Sequence, residues 1–81
     1  LEAANKAIEL NPNLAMAWSN KSFFLTSLGH NDEALEAANK AIELNPNLAE
    51  AWLNKSLVLT NLGRNEEALE AANKAIELKN G

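Results

Sequence analysis

Cysteine is absent from the 81 residues, and histidine occurs once, as His30. Without thiolates there is no disulfide framework and no sulfur-ligated metal site, and a single imidazole excludes a multi-histidine one. Basic residues are few: seven lysines and arginines against eleven acidic residues give a formal net charge of −4. With a pI near 4.8, that balance argues against nucleic acid or an anionic membrane as a partner. The apolar runs are only a few residues long, far short of a bilayer span, and no signal-peptide pattern opens the sequence. The cytoplasm is therefore the expected compartment. A domain this small buries a modest share of its surface, which argues against a deep catalytic cleft. The sequence begins at Leu1 rather than at a methionine and reads as a fragment or an engineered chain.

What is present is repetition. The letters LEAANKAIELNPNLA run from Leu1 to Ala15 and return unchanged from Leu35 to Ala49. Their first ten letters return again from Leu69 to Leu78, so the period is 34 residues and the chain holds about 2.4 of them.

Each unit reads as two helices. In one, Leu48, Trp52, Leu59 and Leu62 recur at helical spacing over a segment from Leu48 to about Leu62. Asn47 stands before it as the expected N-cap, and Gly63 follows as the helix stop. The second segment runs from about Glu66 to Leu78, with Ala68, Ala72, Ala75 and Leu78 on its apolar side and Glu70, Asn73, Lys74 and Glu77 opposite. Glu70 precedes Lys74 by four residues, the favourable order for a helical ion pair, as do Glu2 and Lys6, and Glu36 and Lys40. Asn11-Pro12-Asn13 and Asn45-Pro46-Asn47 break the chain between units, because proline lacks the amide a continuing helix needs.

The expected fold is therefore an all-α solenoid of five helices. Residues 1–12 form the second helix of a partial repeat, and 13–46 and 47–81 form full repeats. The Leu48 helix is apolar on several sides. Trp52 and Leu59 are expected to face its own partner, Ala51 and Val58 the preceding repeat, and Leu53 and Leu57 a third direction. The alanine-rich helices, which allow close approach of helix axes, are expected on the outside.

Trp18 and Trp52, Ala34 and Ala68, and Pro12 and Pro46 fall at matching places in the period. A 34-residue helix-turn-helix unit with Trp, Ala and Pro in this register resembles the tetratricopeptide repeat, over the whole chain. Lys21-Ser22 and Lys55-Ser56 stand where that family has Leu-Gly, Leu25 and Leu59 where it has tyrosine, and Ala38 and Ala72 where it has a large aromatic. Asn31 and Asn65 begin the second helices where another aromatic is usual, and Asn80-Gly81 replaces a third proline. The resemblance implies a right-handed superhelix whose concave groove, lined by first helices, takes an extended or helical peptide. Some family members grip a C-terminal carboxylate with basic groove residues. Lys21 and Lys55 point away from the groove face, so that clamp does not carry over.

Catalytic chemistry finds little support. His30 is the one candidate base near neutral pH, but it lies in a turn after Gly29, its repeat counterpart is Arg64, and no nucleophile stands beside it. Asp32-Glu33 and Glu66-Glu67 are adjacent carboxylates placed to favour a helix dipole. Ser22 and Ser56 read as small packing residues, and Trp18 and Trp52 as packing between helices rather than as stacking platforms. Asn20-Lys21-Ser22 and Asn54-Lys55-Ser56 match the glycosylation pattern but fall inside a helix, and we read them as coincidence. The chain is read as not an enzyme, with no cofactor and no metal.

Comparing residues 1–34 with 35–68 leaves seven differences: Met16/Glu50, Ser19/Leu53, Phe23/Leu57, Phe24/Val58, Ser27/Asn61, His30/Arg64 and Asp32/Glu66. Met16, Ser19, Phe23 and Ser27 are spaced three, four and four apart, one helical face. By the resemblance this is the groove face, with Glu50, Leu53, Leu57 and Asn61 beside it. Asn20 and Asn54 are placed to bond a peptide backbone, and Thr26 and Thr60 continue the surface. The functional reading is that the groove varies while the scaffold is constant; the alternative is drift at tolerant exposed positions. The expected ligand is a mostly apolar, neutral or basic peptide segment of a protein partner. The competing expectation is a self-associating or designed scaffold, a homo-oligomer stacking end to end through uncapped helices.

Overall fold

A computed structural model describes residues 14–81. They form four helices: α1 (Ala15–Ser27), α2 (Asn31–Leu44), α3 (Ala49–Asn61) and α4 (Asn65–Asn80). The described residues contain no strand. The fifth helix expected over residues 1–12, the Asn11-Pro12-Asn13 turn and the Glu2–Lys6 pair lie outside the described residues.

The turn within each unit is set by glycine. After α1 and α3, Leu28 and Leu62 keep right-handed helical backbone, and Gly29 and Gly63 then take φ of 82° and 78°. The Arg64 amide donates to the Leu59 carbonyl at 2.9 Å and the Gly63 amide to Thr60 at 3.0 Å. His30 and Gly29 make the same bonds to Leu25 and Thr26 at 2.9 and 3.1 Å. These crossed bonds satisfy carbonyls that the ending helix orphans, and the left-handed residue between them has no Cβ to strain.

The turn between units uses asparagine differently from the sequence expectation. Leu48, with extended backbone, is the cap of α3, and no side chain caps the helix. Asn47 is not the cap: it lies one residue before Leu48, within the turn, where its own amide donates to the Asn45 Oδ1 at 3.1 Å. The Leu48 amide donates to the Asn45 carbonyl at 3.1 Å, so both bonds close a turn around Pro46. The Trp52 indole N–H then reaches back to the Pro46 carbonyl at 2.8 Å and ties helix to turn.

The core lies in two joined clusters. Leu25, Ala34, Ala37 and Val58 are buried together, with Trp18, Leu35 and Leu62 packed against them. Leu59, Ala68 and Ala71 form the second, flanked by Trp52 and again by Leu35. Leu35 thus links the two repeats. Helix α3 packs on all three other helices, whereas α4 packs on α3 alone. Val58 faces the preceding repeat, Leu59 faces α4, and Leu53 and Leu57 stay exposed. That three-way division matches the sequence expectation, and stepwise stacking of this kind is an α-solenoid. Buried alanines at 34, 37, 38 and 41 let α2 approach closely. Ser22 sits fully buried at that contact, its hydroxyl donating to the Ala34 carbonyl at 2.8 Å. Ser56, its counterpart, is only half-buried.

Candidate functional site

The face expected to form the groove is carried by α1 and α3, which pack against each other. Met16, Phe23, Leu53 and Leu57 are large apolar side chains left exposed along it. Asn20, Ser27, Glu50, Thr60 and Asn61 are exposed, and Thr26 and Asn54 half-buried. Ser19 differs: it is buried, under Asn54. The Asn54 amide donates to the Ser19 carbonyl at 2.9 Å and to the Ser19 hydroxyl at 2.8 Å. That pair joins the two helices on this side. It also takes the donor that Asn54 was expected to offer a peptide, leaving its Oδ1 as acceptor.

The hydroxyls are partly occupied as well. Thr26 donates to the Ser22 carbonyl at 2.8 Å, Thr60 to Ser56 at 2.9 Å and Ser27 to Phe23 at 3.1 Å. Such bonds return to the helix's own backbone and use each hydroxyl's one proton, so toward a ligand these oxygens can act only as acceptors. Asn61 reaches Asn31 at 3.4 Å, at the edge of hydrogen-bonding distance.

The basic residues gather elsewhere. The Lys21 ammonium lies 5.5 Å from the Trp18 ring centre and that of Lys55 lies 5.6 Å from Trp52, within cation–π range. The two tryptophans are half-buried against the core clusters. Lys21 and Trp18 line a cleft of about 280 Å³ between α1 and α2, with Leu25, Glu33, Glu36, Ala37 and Lys40. This cleft is on the α2 side of α1, away from the expected groove. Lys40 and Lys74 pair with Glu43 and Glu77, at 3.9 and 4.0 Å, rather than with Glu36 and Glu70 as the sequence spacing predicted. Each lysine has a carboxylate on both sides of its own helical face, and for exposed partners the choice between them carries little energy.

His30 is exposed, with Nδ1 3.3 Å from Glu33 Oε1. Arg64 makes the equivalent contact in the next repeat with two hydrogen bonds to Glu67, at 2.9 and 2.8 Å. Those bonds, more than charge alone, hold the Glu67 carboxyl below its ordinary range and raise the Arg64 guanidinium. Sequence reading missed this pair, although an acidic residue three positions after the residue preceding each second helix was a usable signal. Glu33 and Glu67 lie in the first turns of α2 and α4, as expected for dipole-favoured carboxylates. No group of three or more histidine, cysteine or acidic side chains suited to a metal occurs among the described residues. No helix among them is long and apolar enough to cross a membrane.

Comparison with known proteins bears on the architecture. Two family profiles described as tetratricopeptide repeat match, one over residues 26–81 and the other over residues 3–36. A search of curated proteins by sequence gives no match. Among solved structures, MamA superposes with a TM-score of 0.85 at 30% identity, covering 98% of this chain and 46% of MamA. The TPR2B domain of yeast Sti1, in its pHsp70 complex, gives 0.89 at 30% identity, covering 95% of this chain and 62% of that one. YrrB, a TPR protein with an unusual peptide-binding site, gives 0.89 at 30% identity, with 94% and 39% covered. The chain thus spans between about two fifths and three fifths of these relatives. The first profile covers more than half of the chain, and the chain belongs to the tetratricopeptide repeat family.

Proposed function

We propose that this chain is a non-enzymatic protein-interaction module that binds a mostly apolar peptide segment along the α1/α3 face. The observation that carries the reading is the exposure of Phe23, Leu53 and Leu57 on two helices joined by the Asn54–Ser19 bonds. Exposed large apolar side chains grouped on one surface mark contact sites. Similarity to a Sti1 domain seen in a pHsp70 complex, and to YrrB with its peptide-binding site, supports a peptide as the ligand class. The acceptor capacity left on Asn54, Thr26 and Thr60 suits the amides of an extended backbone. Among the residues assigned to this face Glu50 alone is charged, while Lys21 and Lys55 lie over Trp18 and Trp52. The preferred segment is therefore neutral or basic, not an acidic tail. The fifth helix and the right-handed winding belong to the same reading. The fifth helix rests on the identity of Leu1–Leu10 with Leu35–Leu44, which is helical as part of α2, and the winding rests on membership of the repeat family.

The test is a peptide array probed with the chain, followed by titration of the best segment into Phe23→Ser/Leu57→Ser. Losing two apolar anchors is expected to weaken binding by at least about tenfold with helical content unchanged. Equal affinity for the double variant, or selection of acidic tails only, would remove the face from consideration.

A second reading, self-association through open helical faces, is favoured by one observation. Leu69 and Ile76 on α4 are 63% and 57% exposed.

A further inference from the structure

The second reading can be made specific, and the inference rests on it. Between the two repeats α3 lies on both α1 and α2, and its contact with α2 is the part that can recur. There Val58, fully buried, and Leu62 meet Leu35, and Ile42, one helical face along, is half-buried. Each half of this interface has a second copy in the same chain, 34 residues away. The counterparts of Leu35 and Ile42 are Leu69 and Ile76, in a ten-letter segment identical to that of α2. The counterparts of Val58 and Leu62 are Phe24 and Leu28 on α1. All four counterparts are exposed: Leu69 by 63%, Ile76 by 57%, Phe24 by 39% and Leu28 by 59%. The molecule thus displays both halves of a contact that it already makes once.

We propose that these two faces bind each other between copies of the chain, α4 of one copy lying on α1 of the next as α2 lies on α3. The occupant is a second copy because the complementary face is part of the same sequence, and the packing geometry is the one seen internally. Such a contact is head to tail. It uses different surfaces on the two partners, so each added copy presents a fresh face and the assembly stays open-ended. Leu1–Leu10 carry the same ten letters as Leu69–Leu78. Apolar burial at Phe24, Leu28, Leu69 and Ile76 supplies the driving force, and the acidic chain's net charge of −4 opposes it, so added salt strengthens assembly.

The test uses the whole chain and two double variants, Leu69→Lys/Ile76→Lys and Phe24→Lys/Leu28→Lys, with mass followed by light scattering over a ~100-fold concentration range. The unaltered chain is expected to rise from 8.8 kDa to at least twice that mass. Each variant alone stays at 8.8 kDa, because each has lost one half of the contact. Their equimolar mixture forms a one-to-one dimer and nothing larger, since a single intact contact remains between them. Circular dichroism checks that both variants stay helical, and Leu28→Lys alone serves if the Phe24 change disturbs the fold. If Phe24→Lys/Leu28→Lys still self-associates, α4 pairs with α4: the second reading survives and the head-to-tail contact is overturned. If the mixture fails to dimerise, the complementarity is likewise overturned. If the unaltered chain stays at 8.8 kDa throughout, both readings fail together.

Discussion

Asn54 and Ser19 are 35 residues apart, yet the Asn54 amide donates to both the hydroxyl and the carbonyl of Ser19, at 2.8 and 2.9 Å. These bonds cross from one repeat to the next on the face proposed to bind peptide. Asn54→Ala removes the donor and leaves a buried hydroxyl with one partner fewer, at a cost of about 1 kcal/mol. Thermal unfolding should shift down by ~4–8 °C for a domain of this size. An unchanged midpoint would mean that water replaces the amide without loss.

Val58 and Phe24 occupy equivalent places in consecutive repeats, but Val58 is fully buried and Phe24 is 39% exposed. Val58→Ala deletes two methyl groups from a cluster with Leu25, Ala34 and Ala37. Lost transfer energy and the remaining cavity together cost about 2 kcal/mol. Phe24→Ala removes a larger side chain but should cost less, because much of it already meets water. Denaturant unfolding of both variants decides the matter: the smaller deletion must destabilise more.

The contrast shows which parts of the fold were legible in the sequence. The sorting of α3 into three faces was, because Val58, Leu59 and Leu57 are consecutive letters and helical geometry alone sends them in different directions. The glycine stops were legible for the same local reason. Ser19 was not: its position on α1 shares the spacing of the exposed Phe23, and only the placement of α3 buries it. The cap before α3 was missed because an asparagine directly before a helical segment reads as a side-chain cap, whereas here Leu48 starts α3 with no side-chain cap at all and the Asn45 side chain closes the turn around Pro46. The lysine partners were missed because each lysine has carboxylates in both directions, with energies too close to separate. For the candidate site, the sequence located the helices and the apolar side chains. Which polar atoms are already engaged became readable only with the two repeats docked.

The Arg64–Glu67 pair gives a pH expectation. Hydrogen bonds from the guanidinium hold the Glu67 carboxyl below its ordinary value of 4.5. A carboxyl depressed in the folded state contributes stability above its unfolded value, and that contribution is lost as pH falls through the folded one. Arg64→Ala should therefore raise the Glu67 titration midpoint toward 4.5, read by carbon-detected NMR of the carboxyl. Both side chains are exposed, so stability near neutral pH should change little. A Glu67 midpoint that stays put in Arg64→Ala would assign the shift to something other than this contact.

Gly63 isolates a backbone effect from a packing one. Its φ of 78° lies in the left-handed region, where a Cβ crowds the following carbonyl at a cost of about 1–2 kcal/mol. A Cβ built there meets no atom within 4 Å outside its immediate neighbours, so Gly63→Ala adds no clash to that cost. The variant should lose about that much stability, with α3 and α4 otherwise unmoved. Asparagine tolerates this conformation better than alanine, because its side chain bonds locally, so Gly63→Asn should recover part of the loss. Gly29, with φ of 82° and an equally open surrounding, should give the same order of glycine, asparagine, alanine. If alanine and asparagine destabilise equally at both turns, conformational preference is not the controlling energy. The crossed bonds from Arg64 to Leu59 and from His30 to Leu25 would then be holding the turns on their own.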